Sequence, residues 1–591
     1  MNQKYKDEIV HREFVRKEYD RLSNIVGIFK LILAAMFAYT IYNAWINHFP
    51  MKLTILLLAK AFIFVITHIY HKKLFERVAY EKGLIDIAEK NLCRISGEWR
   101  AFDDIGEEFI DYNQSYAMDL DIVGKCSLFQ FLNSTNTHYG RLRFAQDLLK
   151  PEYLHQDIKM RQEAVSELSN DYSWCSHLEY CFSKIGIDKS FPVLISELQN
   201  KNRFIKSKAL RVLFDILRVI TCGSIFFSII TKNRYSVLLT LILITFQLIL
   251  WGVGFLKANR YVGVMREIPY KIIKYDEVIK EIKNKELCSY RLKELQSIIL
   301  SSKEAIHDLS KISSNISQRQ NGIACLILNA VWLWDYKNAV DLDIWKQKYG
   351  DSVDGWFSSI GELESLLSLV NLPRNCTGTC LPEISTRFNT IQSKGLGHPL
   401  LNNENRVCND LDLNNNILII SGSNMSGKTT FMRTVGINMV LAQTGSYVCA
   451  DRMRFSMMKV MTSMRTVDAL TEGVSTFYAE IKRIKDIIDY SQVNENLLFL
   501  IDEIFRGTNS VDRLKGAEEV LQKLCKLGVC GIITTHDLEV CKLEDTYPRI
   551  KNYCFYERYS GNDIIFDYKM KNGVSKTTNA QYLLRKVGII E

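Results

Sequence analysis

The sequence lacks the cysteine spacing of a zinc site. Its fifteen cysteines are scattered along the chain. Cys376 and Cys380 are spaced C-x-x-x-C, but no second pair of Cys or His residues follows nearby. A structural zinc ion needs four such ligands, so a zinc-finger protein is not expected. Buried, reduced thiols are the simpler interpretation, and they suit a cytosolic chain.

A removable signal peptide is missing as well. The N-terminal stretch MNQKYKDEIVHREFVRKEYDRL is charged throughout and contains no small-residue cleavage site, so we expect it to be retained. Charged residues make up 24% and apolar residues 47% of the 591-residue chain, a balance typical of several folded units rather than of disorder. The net charge of +9 is compatible with nucleic acid or anionic lipid as a partner, or with solvated surface alone.

Charged side chains are also scarce in four apolar segments. These segments are 25–46, 53–70, 212–230 and 235–256. About 20 apolar residues suffice to cross some 30 Å of hydrocarbon. The segments form two pairs, joined by the short stretches NHFPMK and TKNR, which predicts two transmembrane helical hairpins. Buried helices of a large soluble core are the alternative.

The few charged side chains within these segments can be neutralised by a neighbour, point into the bundle or reach the lipid headgroups. Asp215 and Arg218 stand three residues apart, so on a helix they can neutralise each other. Lys60 either points into the bundle or extends toward the headgroups. Lys and Arg are concentrated on the outer flanks of both pairs, and the positive-inside rule then places these flanks in the cytoplasm. The sequence therefore predicts a multi-pass protein of the inner (cytoplasmic) membrane with its soluble domains facing the cytoplasm.

A phosphate-binding loop follows the fourth segment at some distance. Ile417–Ser421 is an apolar run fit for a buried parallel strand. The next eight residues fit G-x-x-x-x-G-K-[ST], and an apolar-periodic helix then extends to Gly445. Lys428 is expected on the β- and γ-phosphates of ATP and the Thr429 hydroxyl on Mg²⁺. The candidate nucleotide-binding residues of this loop are Gly422, Ser423, Asn424, Met425, Ser426, Gly427, Lys428, Thr429 and Thr430.

Two further strands supply candidate catalytic groups. The run LLFLIDE ends in Asp502, expected to bind Mg²⁺ with Thr429, and in Glu503, expected to polarise the attacking water. The run VCGIITTH brings His536 to the carboxyl edge of the sheet, where ligands bind in open α/β folds. We expect His536 to contact the γ-phosphate or the water, although a purely structural histidine is the alternative.

These motifs together resemble the MutS family of DNA mismatch-recognition ATPases. The segments that carry the resemblance are GLGHPLL, the phosphate loop with its Asn-Met, GVSTFYAEI, DEIFRGTNSVD, TTHDLE and the C-terminal tail. A weaker likeness to the helical core of the family begins at LFQFLNSTNTHYGRLRF. The resemblance implies an α/β P-loop NTPase domain of the ABC/MutS type, preceded by an all-α core and lever domain that here carries the two hairpins.

The resemblance also implies site residues and partners. Ser475 and Thr476 would contact the nucleotide of a partner subunit, which makes the ATPase a composite homodimer. For these two residues an N-cap beside a core Phe is the alternative. Tyr568 stands where the family stacks a ring on adenine, although an ordinary strand tyrosine is an equal alternative. ATP and Mg²⁺ are the expected cofactors. The lipid bilayer, double-stranded DNA and unidentified proteins are the expected partners.

The sequence departs from the family in several places. Ser423 and Ser426 replace the usual Pro and Gly of the loop, and the region before Asp119 has no room for a mismatch-reading domain. The single Phe-x-Glu, at 555–557, falls inside the ATPase region. The sequence also lacks the L-S-G-G-Q segment that is typical of ABC proteins. We therefore predict a membrane-anchored MutS-family ATPase with a DNA role. The alternative is an ABC-like mechanochemical or signalling ATPase without one.

The predicted organisation has seven parts. They are a cytoplasmic helix (1–24), a first transmembrane hairpin (25–71), a connector (72–118), the first part of a MutS-like core (119–208), a second transmembrane hairpin (209–257), lever and core helices (258–390) and the ATPase domain (391–591).

Overall fold

The computed structural model describes residues 2–111, 115–151, 153–205, 207–263, 268–318, 322–423, 425–464, 476–505, 510–560 and 563–575. The chain divides into two compact units. The first unit comprises Met1–Asn133, Asp147–Tyr180 and Leu369–Glu591. The second comprises Ser134–Gln146 and Cys181–Ser368. Both sheets lie in the first unit, and the second is helical.

Twenty-one α-helices are found among the described residues. In chain order they are α1 (Asn2–Ile46), α2 (Met51–Ser96), α3 (Ser115–Asp119), α4 (Leu128–Leu132), α5 (His138–Leu149), α6 (His155–Asn170), α7 (Tyr172–Ser183), α8 (Phe191–Gln199), α9 (Lys208–Thr231), α10 (Arg234–Gly263), α11 (Ile268–Asn284), α12 (Tyr290–Ser301), α13 (Lys303–Ser317), α14 (Gly322–Trp332), α15 (Trp334–Tyr349), α16 (Val353–Leu369), α17 (Asn371–Asn375), α18 (Lys428–Gln443), α19 (Thr476–Ser491), α20 (Ser510–Lys526) and α21 (Leu543–Thr546).

In the described part of the chain, ten strands form two sheets. They are β1 (Glu383–Ile384), β2 (Ile391–Leu396), β3 (Asn409–Asp412), β4 (Ile417–Ser421), β5 (Arg452–Phe455), β6 (Lys459–Ser463), β7 (Leu497–Asp502), β8 (Cys530–Thr535), β9 (Ile550–Ser560) and β10 (Asp563–Asn572). The four-stranded sheet has the order β1-β5-β2-β3, and the six-stranded sheet has the order β10-β9-β4-β8-β7-β6. In the larger sheet only β10 runs antiparallel to its neighbour.

The centre of the six-stranded sheet is fully buried. Every residue of β4, β7 and β8 is buried, as the continuous apolar runs in these segments require of parallel strands covered on both faces. Since β4, β7 and β8 are parallel neighbours, their carboxyl ends lie at one edge of the sheet. The helical N-terminal region and the mixed sheets of the C-terminal part agree with the predicted fold class.

All four apolar segments are helical and lie in two hairpins. Helices α1 and α2 form the first, in the first unit, and α9 and α10 form the second, in the second unit. Each has a helix pair long and apolar enough to cross a membrane, and at most 11% of the most apolar window of each helix is buried. Lys60 donates to Thr40 Oγ1 at 2.6 Å, so this ammonium group points into the first hairpin. Arg218 pairs with Asp215 at 2.6 Å.

The charged stretch 276–309, whose helical spacing suggests a long lever helix, does not form one continuous helix. It is divided among α11, α12 and α13, with breaks before Tyr290 and at Ser302. Helix α13 packs back against α11, which a straight rod does not allow. Ser302 is fully buried and its hydroxyl donates to the carbonyl of Ile299 at 2.6 Å, so the last turn of α12 is closed by a side chain.

The end of the phosphate-loop helix α18 is fixed by one glycine. Gly445 has φ +80°, and a Cβ there would lie 2.6 Å from Arg161 Cβ and 3.1 Å from the carbonyl oxygen of Ile158. Glycine alone meets both demands, the left-handed backbone and the close approach of α6. A hydrogen bond also joins α6 to the end of α18, because Arg161 Nε donates to the carbonyl of Thr444 at 2.8 Å.

Candidate active site

The phosphate loop links β4 to α18 through two glycines with positive φ. Gly422 has φ +152° and Gly427 has φ +105°. A Cβ on Gly422 would lie 2.9 Å from the carbonyl oxygen of Phe555, so the loop requires glycine there. Lys428 is 5% exposed, and its ammonium donates to the carbonyls of Gly422 at 2.7 Å and Ser423 at 2.8 Å. The N–H groups of the first turn of α18 have no partner within that helix and are available to phosphate oxygens.

The Ser426 hydroxyl fits an anion in this loop. It is buried, and it forms no hydrogen bond with any described residue. A buried hydroxyl without a partner costs about 1–3 kcal/mol, and a phosphate oxygen is the acceptor that this loop would bring to it. The serine that replaces the family's glycine therefore adds a donor to the loop. Its neighbour Asn424 lies outside the described residues.

A carboxylate and two hydroxyls form the candidate magnesium site. Thr429 Oγ1 donates to Asp502 Oδ2 at 3.0 Å, and the Thr534 hydroxyl donates to the other carboxylate oxygen. Asp502 ends β7, and Thr534 lies beside it in β8. Carboxylate and hydroxyl oxygens are ligands that Mg²⁺ accepts alongside nucleotide phosphates, so the residues present fit the ion. Thr534 was not among the predicted residues, because only the register of β7 with β8 brings it to Asp502.

Glu503 and His536 lie together at the same edge. Glu503 Oε1 is 2.7 Å from His536 Nε2, and that nitrogen is 3.4 Å from Lys428 Nζ. Glu503 has φ +52°, a conformation that is costly for a non-glycine residue and that often marks functional sites. Its backbone N–H donates to the carbonyl and to the hydroxyl of Thr534, both at 3.2 Å. These bonds stabilise the turn and aim the carboxylate at Lys428 and His536.

A cavity of about 460 Å³ lies against the loop. Its lining includes Lys428, Thr429 and Glu503 together with apolar and aromatic side chains. Tyr568 lines it, next to Gly427, where an added Cβ would lie 3.1 Å from the Tyr568 ring. The register shift in β10 between Phe566 and Met570 and the positive φ of Tyr568 place the ring there. The cavity thus offers polar groups for phosphates and an aromatic ring for a base.

His398 forms another wall of this cavity. Burial, with the nearby guanidinium groups of Arg433 and Arg406, lowers the pKa of His398 to about 3. The ring is therefore neutral at physiological pH and accepts the N–H of Leu400 at Nδ1, 3.3 Å away. The sequence motif GLGHPLL had marked the entry to the domain, but it gave no sign that this histidine would face the cavity.

Glu557 is a third residue whose place at the site the sequence did not predict. The Ser423 hydroxyl donates to its carboxylate, and Glu557 is buried on β9 next to β4. The Phe-x-Glu at 555–557 therefore belongs to the support of the phosphate loop, since the Phe555 carbonyl also lies against Gly422. The unusual serine at 423 was the available signal, because a hydroxyl in place of proline needs a partner.

Glu480 connects the segment GVSTFYAEI to the catalytic turn. It is buried on α19, and its carboxylate accepts the backbone N–H of Phe505. Phe505 also has a positive φ, of 59°. Of the two predicted trans-subunit residues, Thr476 is the first residue of α19, whereas Ser475 lies outside the described residues.

For the ATP hydrolysis that the sequence predicts, we expect Glu480→Ala to lower kcat about tenfold, because a buried N–H without an acceptor costs about 1–3 kcal/mol and the turn that carries Glu503 loosens. Glu480→Gln, which keeps an acceptor oxygen, should restore most of the rate. Steady-state hydrolysis and equilibrium binding of a fluorescent ATP analogue would be measured together. A loss of binding in the alanine variant, rather than of rate, would show that Glu480 does not position the turn.

Comparison with known families gives one domain match. Residues 418–587 match the family model described as MutS domain V. The match begins within β4 and includes the phosphate loop, Asp502, Glu503 and His536.

Curated relatives carry the same family name. The chain is 33% identical over 240 residues to the DNA mismatch repair protein MutS of Acetivibrio thermocellus, covering 39% of this chain and 27% of the relative. It is 26% identical over 501 residues to that of Aquifex pyrophilus, covering 76% of this chain and 56% of the relative. The matches thus span between about a quarter and just over half of these relatives' length. Domain V and this partial similarity support a relationship of the chain to the MutS family over part of its length.

Proposed function

We propose that the chain is a membrane-anchored MutS-family ATPase that hydrolyses ATP to ADP and phosphate with Mg²⁺. One observation carries the proposal: Lys428, the Thr429–Asp502 pair and the Glu503–His536 pair converge at one edge of the sheet, beside a cavity with an aromatic wall. An isolated acid pair after an apolar strand is common. Its connection to a phosphate-loop lysine is not common: Glu503 lies 2.7 Å from His536 Nε2, and that nitrogen lies 3.4 Å from Lys428 Nζ.

The residues have distinct roles in hydrolysis. Lys428 and the N-terminal turn of α18 bind the β- and γ-phosphates. Thr429 and Asp502 hold Mg²⁺, which neutralises phosphate charge when bound. Glu503 accepts a proton from the attacking water, and His536, bonded to that carboxylate, orients it and contacts the γ-phosphate. Tyr568 and His398 line the cavity, and the Tyr568 ring is available to stack on the adenine.

The active enzyme is a homodimer in this proposal. The family resemblance assigns Ser475 and Thr476 to the nucleotide of a second subunit, and Thr476 begins a helix whose Glu480 holds the catalytic turn. Closure of a second copy over the γ-phosphate would therefore be sensed by the turn that carries Glu503. Hydrolysis is thereby linked to association.

The two hairpins insert in the inner membrane, with the soluble domains in the cytoplasm. In the most apolar window of α2 no residue is buried, and apolar faces of this size are costly in water. The bilayer covers them at no such cost. The polar groups in the hairpins satisfy each other, as Lys60 with Thr40 and Gln247 with Thr221 do at 2.6 and 2.7 Å, which the hydrocarbon interior requires.

Double-stranded DNA is the proposed macromolecular partner, supported by the relatives' designation as DNA mismatch repair proteins and by the net charge of +9. The second candidate is an ABC-like mechanochemical or signalling ATPase without a DNA role, in which the hairpins are the output. The bilayer-length helices favour this candidate.

We expect the full chain in lipid nanodiscs to hydrolyse ATP with Mg²⁺ and to stop in EDTA. Asp502→Ala should lower the rate at least about 100-fold, whereas Asp545→Ala, on the short helix α21, should leave it unchanged. Hydrolysis that continues in EDTA or in Asp502→Ala would contradict the assigned site.

Heteroduplex DNA binding, measured at about 50 and 200 mM salt, separates the two candidate functions. Phosphate contacts weaken at least about tenfold over that range, and no binding at either salt concentration supports the second candidate.

A further inference from the structure

Helix α14 presents an uncharged, exposed apolar face that no part of the ATPase function uses. The stretch from Gly322 to Trp334 contains no charged residue. Along the helix Ile323 is 74% exposed, Leu326 51% and Ile327 56%. At 11 residues, or about 17 Å, α14 is apolar but too short to cross a bilayer.

Helix α14 packs against the second apolar hairpin, on α10 and α9. Gln247 of α10 is completely buried. With its amide oxygen accepting from Thr221 Oγ1 at 2.7 Å, its nitrogen donates to the carbonyls of Ala330 at 3.0 Å and Val331 at 3.2 Å. These carbonyls belong to the last turn of α14, where no partner within the helix is available. A side chain of the hairpin therefore closes the end of α14.

The break after α14 is closed in the same way. The Asn329 side chain accepts the backbone N–H of Asp335 at 3.0 Å and donates to the carbonyl of Cys325 at 2.9 Å. The indole N–H of Trp251, on α10, donates to the Asp335 carboxylate at 2.8 Å. Interrupted helices are tolerated at membrane depth only where protein satisfies the freed backbone groups, and these bonds meet that condition.

The contacts also set the depth of α14 along the hairpin. Measured from Arg234 at the turn, Gln247 lies about 20 Å and Trp251 about 26 Å along α10. Both fall within the roughly 30 Å of hydrocarbon that the hairpin would cross. By contrast, Tyr261 lies about 40 Å along α10, beyond the hydrocarbon, and its hydroxyl donates to Asp343 of α15 at 2.6 Å.

The geometry points to α14 as a third membrane-embedded element, a short helix seated against the cytoplasmic half of the second hairpin with its exposed face in the acyl chains. The inference rests on the proposed membrane insertion of the hairpins. Lipid is the proposed occupant because α14 packs on α10 and α9, whose own apolar side chains are exposed, and because its contacts with α10 fall within the length that would cross the hydrocarbon. Exposed Trp332, with Trp334 beneath Lys337 at 5.3 Å, is typical of the hydrocarbon–water boundary.

As a consequence, α14 would link the bilayer directly to helix α13. Helix α13 ends at Ser317, shortly before α14, and the Trp334 indole just after α14 donates to the carbonyl of Asn315 in α13 at 2.9 Å. A shift of α14 in the membrane would therefore be passed to α13 through both chain connection and hydrogen bond.

The test places an environment-sensitive fluorescent amino acid at one position of the full chain in phosphatidylcholine vesicles, with or without acyl-chain spin-labelled lipid. The three positions have matched exposure: Leu326 on α14 (51%), Leu241 on α10 (55%) and Ile344 on α15 (54%). We expect the spin label to quench Leu326 and Leu241 at least twofold and to leave Ile344 unchanged.

The three positions separate two kinds of failure. Quenching at Leu241 without quenching at Leu326 would mean that water, a second copy or another protein covers α14, and would overturn this inference alone. Absence of quenching at Leu241 would overturn the membrane insertion of the hairpin and this inference with it. Quenching at Ile344 equal to that at Leu326 would show that the whole unit contacts lipid, and would also overturn a specific role for α14.

Discussion

Glu503→Gln should lower kcat for ATP hydrolysis about 100- to 10,000-fold while ATP affinity stays near that of the original chain. The glutamine amide keeps the shape of the side chain and its contact with His536 Nε2, which in the original chain lies 2.7 Å from Glu503 Oε1. The amide does not accept the proton of the attacking water. Binding is retained because Lys428, Thr429 and Asp502 are unchanged. Single-turnover hydrolysis and equilibrium binding of radiolabelled ATP would give the two quantities separately.

The same variant should accumulate as an ATP-bound dimer, which light scattering would detect. Glu539→Gln is the matched control, because Glu539 is an exposed carboxylate in an ion pair with Lys542 outside the cavity. It should behave as the original chain. Turnover at the normal rate in Glu503→Gln would show that another group accepts the proton.

Arg161→Met should destabilise the first unit by about 3–5 kcal/mol, the range for removing one partner of a buried ion pair. Arg161 Nη2 lies 2.7 Å from Asp147 Oδ2, and both side chains are at most 3% exposed. The substitution removes this ion pair and also the bond to the Thr444 carbonyl at the end of α18. We expect a large fall in the urea concentration at the unfolding midpoint. Unfolding would be monitored by the intrinsic fluorescence of the full chain in nanodiscs.

Lys542→Met removes an ion pair of opposite character, because Lys542 and Glu539 are both more than half exposed. Surface pairs of this kind contribute about 0–1 kcal/mol, so this control should shift the midpoint little. Equal shifts in the two variants would mean that burial does not govern the strength of the Arg161–Asp147 pair. Addition of Mg-ATP should recover part of the loss in Arg161→Met, since ligand binding stabilises the folded unit.

The sequence predicted the parts of the site that depend on short stretches of chain. The β4 strand, the phosphate loop and Asp502–Glu503 are each encoded within a few residues, and the family resemblance is confirmed by the domain match. Thr534, Glu557 and His398 were not predicted, because their places depend on strand register and on packing between distant segments. Hydrophobic periodicity contains no such information.

The helical region shows the same limit. The lever stretch had the spacing of one helix, yet the return of α13 onto α11 breaks it at Ser302. Helix α14 was not predicted as an apolar element because its length falls below any spanning threshold and Asn329 interrupts the run. The role of Asn329, which accepts the backbone N–H of Asp335, is shown only by the structure. The membrane, dimer and DNA assignments stay predictions.

Helix α1 runs unbroken from Asn2 to Ile46, about 68 Å at 1.5 Å per residue. Its N-terminal end is fastened to the first unit, where Tyr5 packs edge-on against Tyr172 and Arg12 pairs with Glu81 at 3.1 Å. A rod this long magnifies angle: a tilt of about 5° moves its far end by about 6 Å. With the first hairpin inserted as proposed, a change in bilayer thickness or curvature that moves Ile46 by about 6 Å turns the helix by only about 5° at Tyr5, so the fastened end keeps its contacts while the far end follows the lipid.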